Sequence, residues 1–197
     1  RIACQNQLKG FEFLEGIPGT LGGALRMNAG AMGWETFDLV DWVSFLLPDG
    51  SIREIPGTDL EVGYRYCREA YDGIALRAKL KSEGRSDHRA IRKVIDKLAS
   101  QRRATQPREA SAGCIFRNPD DESAGLLIDQ AGLKGEREGA AVVSDLHANF
   151  IINEGGASAE EVISLIKRVR DRVKESKGMM LEPEVDILGH SWKEFLS

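Results

Sequence analysis

The residues best suited to chemistry fall in three places. Gly16, Gly19, Gly22 and Gly23 lie within one eight-residue stretch, with Ile17, Pro18 and Thr20 between them. Backbone this poor in side chains can cradle a phosphate with its N–H groups, or let a flat ring lie against it. The spacing is neither G-x-G-x-x-G nor G-x-x-x-x-G-K-[ST], so neither generic nucleotide fingerprint applies, and composition alone favours a tight irregular loop. The second place is Tyr64-Arg65. A guanidinium can grip a carboxylate through two parallel hydrogen bonds and stays charged when partly desolvated. A lone Arg is nonetheless most often a surface residue, and a Tyr in an apolar run is most often packed. The third place is Cys114, together with Glu182 and Glu184 around Pro183. A thiol, with a pKa of ~8.5, can offer one proton to a fixed point, although a free Cys is usually a small buried hydrophobe. Pro183 biases Glu182 toward extended backbone, which would point both glutamates to one face, so spacing does not choose between them.

The bulk of the chain is ordinary. It has 197 residues, 42% hydrophobic and 29% charged, with a net charge of −4. That balance gives no electrostatic reason to expect nucleic acid or an anionic membrane as partner. The three cysteines, Cys4, Cys67 and Cys114, form no CxxC pair. A disulfide framework and a structural metal are therefore not expected, and a reducing, cytoplasmic location is. No apolar run approaches the ~20 residues of a membrane span, and no secretory signal pattern stands at the start.

Elements must position these groups. Residues 39–55 predict a hairpin, LVDWVSFLL and SIREI about a PDG turn. Residues 73–81 predict a further strand. Ile91, Val94, Ile95 and Leu98 give helical spacing over 87–103. A short helix is predicted from Ser123 to Ala131. A longer one runs from Ser158 to about Lys177, with Ser158 and Glu161 as a capping box and Gly178 as its stop. AAVVS (140–144), NFIIN (149–153) and EVDILG (184–189) predict strands. Helices and strands mix without βαβ alternation, so the fold class is α+β. The polar SEGRSD stretch suggests a boundary near 82–87.

Six blocks in one order resemble the UDP-N-acetylenolpyruvoylglucosamine reductase family, also called UDP-N-acetylmuramate dehydrogenase. They are GIPGTLGGALRMNAGA (16–31), EVGYRYC (61–67), TQPREASAGCIFRNP (105–119), LIDQAGLKG (127–135), VVSDLHANFIIN (142–153) and LEPEVDILG (181–189). The resemblance spans about residues 11 to 189. It implies the second lobe of a FAD-binding domain of the vanillyl-alcohol-oxidase type over 1–84, a substrate-binding domain over 85–180, and a C-terminal strand over 181–197 returning to the active-site cleft. The implied reaction belongs to peptidoglycan precursor synthesis. NADPH reduces FAD, the flavin passes hydride to the enolpyruvyl group of a UDP-sugar, and a protein acid protonates the neighbouring carbon.

The resemblance also assigns roles. Cys114 is implied as proton donor, where the family more often has serine; Arg65 as the cation at the substrate carboxylate; and Glu184, rather than Glu182, as the third catalytic group. Gly16, Ile17, Pro18, Gly19, Thr20, Gly22, Gly23, Asn28 and Gly30 are implied FAD contacts. Tyr64, Arg103, Asn118 and Gln130 are implied substrate contacts, and Arg117 stands where the family usually has Lys. Two departures qualify the match. Residues 1–10 hold nothing like the family's N-terminal FAD lobe, so either the chain is a fragment of a longer one that carries that lobe or the lobe lies on a separate chain, and residues 1–197 alone are expected to bind FAD weakly or not at all. Little room lies between Arg65 and the helix at 87 for a substrate-covering loop, which points to the shorter subclass. Two further readings remain: a catalytically silent UDP-sugar-binding fragment, and another FAD-linked oxidoreductase.

Overall fold

The computed structural model describes residues 1–120 and 122–196. The chain forms two compact units, Arg1–Gln101 and Arg102–Ser197.

The first unit opens with a short helix α1 (Ile2–Gln5) and, after the glycine-rich loop, a second, α2 (Leu21–Arg26). Two-residue strands β1 (Gly30–Ala31) and β2 (Trp34–Glu35) make a small ribbon. The expected hairpin is present as β3 (Val40–Leu46) and β4 (Ile52–Pro56). Its turn is built by Asp49, whose carboxylate accepts from both the N–H and the hydroxyl of Ser51 at 2.9 and 2.6 Å, and by Gly50 at φ 80°. A second ribbon, β5 (Val62–Gly63) and β6 (Tyr66–Cys67), leads into α3 (Arg68–Asp72) and β7 (Ile74–Leu80). The sheet order is β4-β3-β7, all antiparallel. Register shifts on the β7 side, between Val40 and Trp42 and between Ser44 and Phe45, bend the central strand. Val43 and Phe45 are fully buried on it, with Leu25, Leu60 and Cys67 packed in the same cluster. Helix α4 (His88–Thr105) follows. Of its predicted stripe, Ile91 and Ile95 are buried, against Cys4, while Val94 is exposed.

The second unit is a four-stranded antiparallel sheet, β8 (Ser111–Cys114), β9 (Arg137–Glu138), β10 (Ala141–Val143) and β11 (Phe150–Asn153), in the order β8-β11-β10-β9. Helices α5 (Ala124–Gln130) and α6 (Ala159–Lys177) share its apolar core. Leu165, Ile166, Val169 and Val173 of α6 are buried, each worth about 1.5–3 kcal/mol of apolar burial. The Ser158/Glu161 capping box forms as expected, and Gly178 ends α6 in the left-handed region at φ 68°.

Where the sequence predicts a strand over 184–189, the described residues form no strand, and a single bridge, Phe116 to Pro183, stands just before it. Pro183 has no N–H to give a ladder. Two residues on, the Trp192 indole N–H takes the Val185 carbonyl at 2.6 Å, so a side chain occupies an acceptor that a neighbouring strand would need.

Gly139 sits at φ 54°, and a Cβ there would overlap the Glu161 carboxylate that bonds Ser158 and Ala140. Gly139→Ala should therefore disturb the α6 cap and destabilise the second unit by at least about 1–3 kcal/mol. A lowered urea midpoint would show it; an unchanged midpoint would mean the cap relaxes freely.

Candidate functional site

In the first unit the glycine-rich segment borders a cavity of about 420 Å³, within the size range of small-molecule sites. Thr20 starts α2 by accepting the Gly23 N–H at 3.2 Å. Gly19 lies at φ 116°, with open space where a Cβ would project; around Gly22 and Gly23 only the Thr20 hydroxyl comes near. Glycine is thus needed for the backbone at Gly19 and leaves the surface bare beside it. Ile17, Pro18, Gly19, Thr20 and Gly23 line the cavity with aliphatic neighbours, and every lining residue is uncharged. Such walls suit a flat, largely apolar ring system, with backbone N–H groups and Thr20 as the polar contacts. Gly16 and Gly22 lie in the same segment without lining the cavity. Gly30 serves the β1–β2 ribbon, since a Cβ there would come within 2.6 Å of the Trp34 carbonyl oxygen. Asn28 is fully buried, and its amide bonds Glu35, Gly63 and Phe37.

Tyr64 and Arg65 form the turn of the β5–β6 ribbon, where Gly63 pairs with Tyr66. Arg65 adopts φ 54°, the left-handed region, and its guanidinium lies 4.8 Å from the Tyr64 ring centroid. A side chain held there without glycine stores of order 1–3 kcal/mol of strain, a feature that concentrates at functional sites. Arg26 is a contact that sequence reasoning missed. Its guanidinium lies 3.8 Å over the Tyr71 ring and donates to the Ala70 carbonyl at 3.1 Å, while Tyr71 packs on Tyr66. The link joins α2 to the ribbon, and no residue spacing could have shown it.

The second unit brings Cys114 and Glu184 onto adjoining backbone. Cys114 ends β8, opposite Phe150, and is half-buried. Gly113 before it takes φ 84°, at the irregularity where the β8–β11 register shifts. Ile115 N–H donates to the Asn149 carbonyl at 2.8 Å, and its own carbonyl accepts the Glu184 N–H at 2.7 Å. Arg117 N–H donates to the Glu182 carbonyl at 2.9 Å. The two glutamates differ in surroundings: the Glu182 carboxylate is exposed, 3.8 Å from Arg170, whereas Glu184 is half-buried. The buried Asn149 amide donates to the Phe116 carbonyl at 2.8 Å and accepts the Phe116 N–H at 2.9 Å.

The expected substrate contacts are spread out. Arg103 lines a polar depression of about 460 Å³ with Arg108 and Asp145. Asn118 accepts the Ala124 N–H at 3.1 Å and holds the approach to α5. Gln130 accepts from Lys177 at 2.8 Å, a cation that sequence reasoning did not single out. Among the described residues, no three His, Cys, Asp or Glu side chains gather as a metal site, and no helix is long and apolar enough to cross a membrane.

Residues 1–56 match the FAD binding domain model, and residues 106–188 match the C-terminal domain of UDP-N-acetylenolpyruvoylglucosamine reductase. The chain thus joins part of a flavin-binding domain to an α+β domain. It is a relative of UDP-N-acetylenolpyruvoylglucosamine reductase along nearly its whole length. The reductase of Alkalilimnicola ehrlichii is 46% identical over 192 residues, 97% of this chain and 64% of the relative. That of Clostridioides difficile is 45% identical over 188 residues, 94% and 61%. The crystal structure of the Thermus caldophilus reductase superposes with a TM-score of 0.82 at 38% identity, covering 94% of this chain and 66% of that one. The chain spans less than two thirds of the length of each of these relatives.

Two outcomes follow for the second unit. Asn149→Ala leaves the Phe116 N–H and carbonyl without partners. At about 1–3 kcal/mol for each orphaned group, the urea transition of this unit should move to clearly lower denaturant; a shift under about 1 kcal/mol would contradict the clamp. His147 Nδ1 accepts the Asn149 N–H at 3.2 Å, a bond the neutral ring can make and the imidazolium cannot. Burial is the main cause pushing the His147 pKa below 6.5, with Lys134 adding to it against an opposing backbone bond. The unfolded chain then takes up this proton more readily than the fold. The contribution is complete above about pH 6.5 and is lost as pH falls from there toward the folded pKa. Urea midpoints at pH 7.5 and 5.5 should differ more for the wild type than for His147→Gln.

Proposed function

We propose that the chain serves a flavin-dependent reduction of UDP-N-acetylglucosamine enolpyruvate to UDP-N-acetylmuramate, with NADPH as reductant, in the cytoplasmic synthesis of peptidoglycan precursors for cell-wall growth and division. The observation that carries this reading is the Glu184 N–H bond to the Ile115 carbonyl. It sets a carboxylate and a thiol, far apart in sequence, on two paired segments within the domain that matches the reductase family.

FAD, when bound, supplies the hydride. The apolar cavity beside Ile17, Pro18, Gly19, Thr20 and Gly23 would hold its ring against aliphatic walls, with Gly16, Gly22, Asn28 and Gly30 completing the segment. Arg65 grips the enolpyruvyl carboxylate and steadies the negative charge that develops there when hydride is added. Cys114 gives its proton to the adjacent carbon, so the double bond gains one hydride and one proton while NADPH is oxidised. The resulting thiolate regains a proton from solvent or through Glu184. Tyr64, Arg103, Asn118 and Gln130 bind the rest of the UDP-sugar.

The test uses the complete gene product that contains these residues, with FAD, NADPH and the enolpyruvyl sugar, followed at the NADPH absorbance band. Oxidation that depends on that sugar supports the reading; tight UDP-sugar binding without turnover would instead support a binding module. Cys114→Ala should leave flavin reduction by NADPH intact and slow product formation by about 10²–10⁴-fold. Normal turnover in that variant would remove Cys114 from the donor role.

A further inference from the structure

The Asn28 side chain is a buried polar group with a place in the fold that neither helix nor sheet requires. It is fully shielded from solvent and sits at φ 39° on a residue other than glycine. It follows directly on α2 and on Met27, which lines the apolar cavity. Its Nδ2 donates to Glu35 Oε2 at 2.6 Å and to the Gly63 carbonyl at 3.1 Å; its Oδ1 accepts the Phe37 N–H at 3.2 Å. Gly63 is the residue from which the Tyr64-Arg65 turn springs. A second tie runs from the same segment, through Arg26 and Tyr71 to Tyr66, on the opposite arm of that turn. The two-residue strands of this ribbon are too short to fix their own position.

From these contacts we infer that Asn28 is a positioning residue. Its amide sets the place of Arg65 against the cavity segment by holding the Gly63 carbonyl, with Glu35 fixing the amide's orientation. The inference deepens the proposed function and rests on it for the substrate that Arg65 would hold, an enolpyruvyl carboxylate. The link to the ribbon stands on the hydrogen bonds alone. A carbonyl and a carboxylate both need the N–H face of Asn28, so only an amide in this one orientation serves both. A buried polar group bound in this way is strongly directional, because no water can replace a lost partner.

Three variants separate positioning from bulk stability. Asn28→Asp exchanges the donor for an oxygen that faces both Glu35 and the Gly63 carbonyl. Glu35→Gln keeps the Asn28 bond to Gly63. The double variant Asn28→Asp/Glu35→Gln reverses the pair, since the new amide at position 35 can donate to the new carboxylate at position 28, but it leaves Gly63 without its donor.

Hydrogen exchange of segment 62–67, thermal midpoints, and calorimetric affinity for the enolpyruvyl sugar are measured on the complete gene product. Exchange in 62–67 should accelerate in Asn28→Asp and in the double variant but not in Glu35→Gln. The double variant should recover most of the thermal midpoint that Asn28→Asp loses, yet bind the sugar about 10–100-fold more weakly than wild type, as expected for a displaced positioning group. Recovery of both exchange protection and affinity in the double variant would overturn the inference and leave Asn28 a packing residue. A loosened ribbon with unchanged affinity would overturn it as well. Should the wild type itself fail to bind the sugar, the proposed function fails, while the exchange data still decide whether Asn28 holds the turn.

Discussion

One side-chain amide holds the candidate chemistry of the second unit in place. Asn149 grips Phe116 at both its N–H and its carbonyl, and its own carbonyl accepts from Ile115. The β8–β11 ladder carries a register shift beside Gly113 and ends at Cys114, and past that end Asn149 continues the pairing, with its carbonyl on Ile115 and its side-chain amide on Phe116. With 115 and 116 fixed on that side, their other edge is free to receive 182–184. Cys114 is fixed by the strand end and Glu184 by its own N–H. The clamp is strong because it is buried: in a low-dielectric interior each bond is stronger, and each loss is uncompensated.

The first unit repeats the device with Asn28. There too an amide stands where regular structure stops, donates to a carbonyl, and accepts an N–H from another segment. Around it lie two ribbons of two-residue strands, elements that have little stability of their own. Their order comes from neighbours: the Asn28 network, Arg26 on Tyr71, and the apolar cluster beneath β3. In each unit, then, irregular backbone near a candidate functional residue is tied by one buried asparagine instead of by a continuous ladder. That arrangement leaves the segment exposed enough for a ligand yet fixed enough to orient it.

How much of this was legible depends on how local the cause is. The β3–β4 hairpin was readable because Pro48, Asp49 and Gly50 carry their own turn chemistry. Helix α6 was readable because Ser158, Glu161 and Gly178 announce both ends. The stripe on α4 was only half right: Ile91 and Ile95 found partners and Val94 did not, because a helix's apolar face is defined by what packs on it. The strand expected over 184–189 is absent from the described residues, with one bridge just before it, since hydropathy does not record that Trp192 takes the Val185 carbonyl.

Residue order alone was enough for the element types with strong local signals, the α+β class, and a set of candidates for chemistry: a bare glycine-rich segment, Arg65, Cys114, and two glutamates around Pro183. Their chemistry follows from residue type, which needs no partner to be read. Which groups meet was settled by the folded chain. Folding distinguishes an exposed Glu182 near Arg170 from a half-buried Glu184 joined to Ile115. It puts Arg65 in the left-handed turn of a ribbon, and it turns Asn28 and Asn149 inward as ties between segments. Hydrogen bonds between distant segments depend on distance and orientation fixed to a few tenths of an ångström, and those are set by the packing of the whole unit rather than by neighbours in the chain.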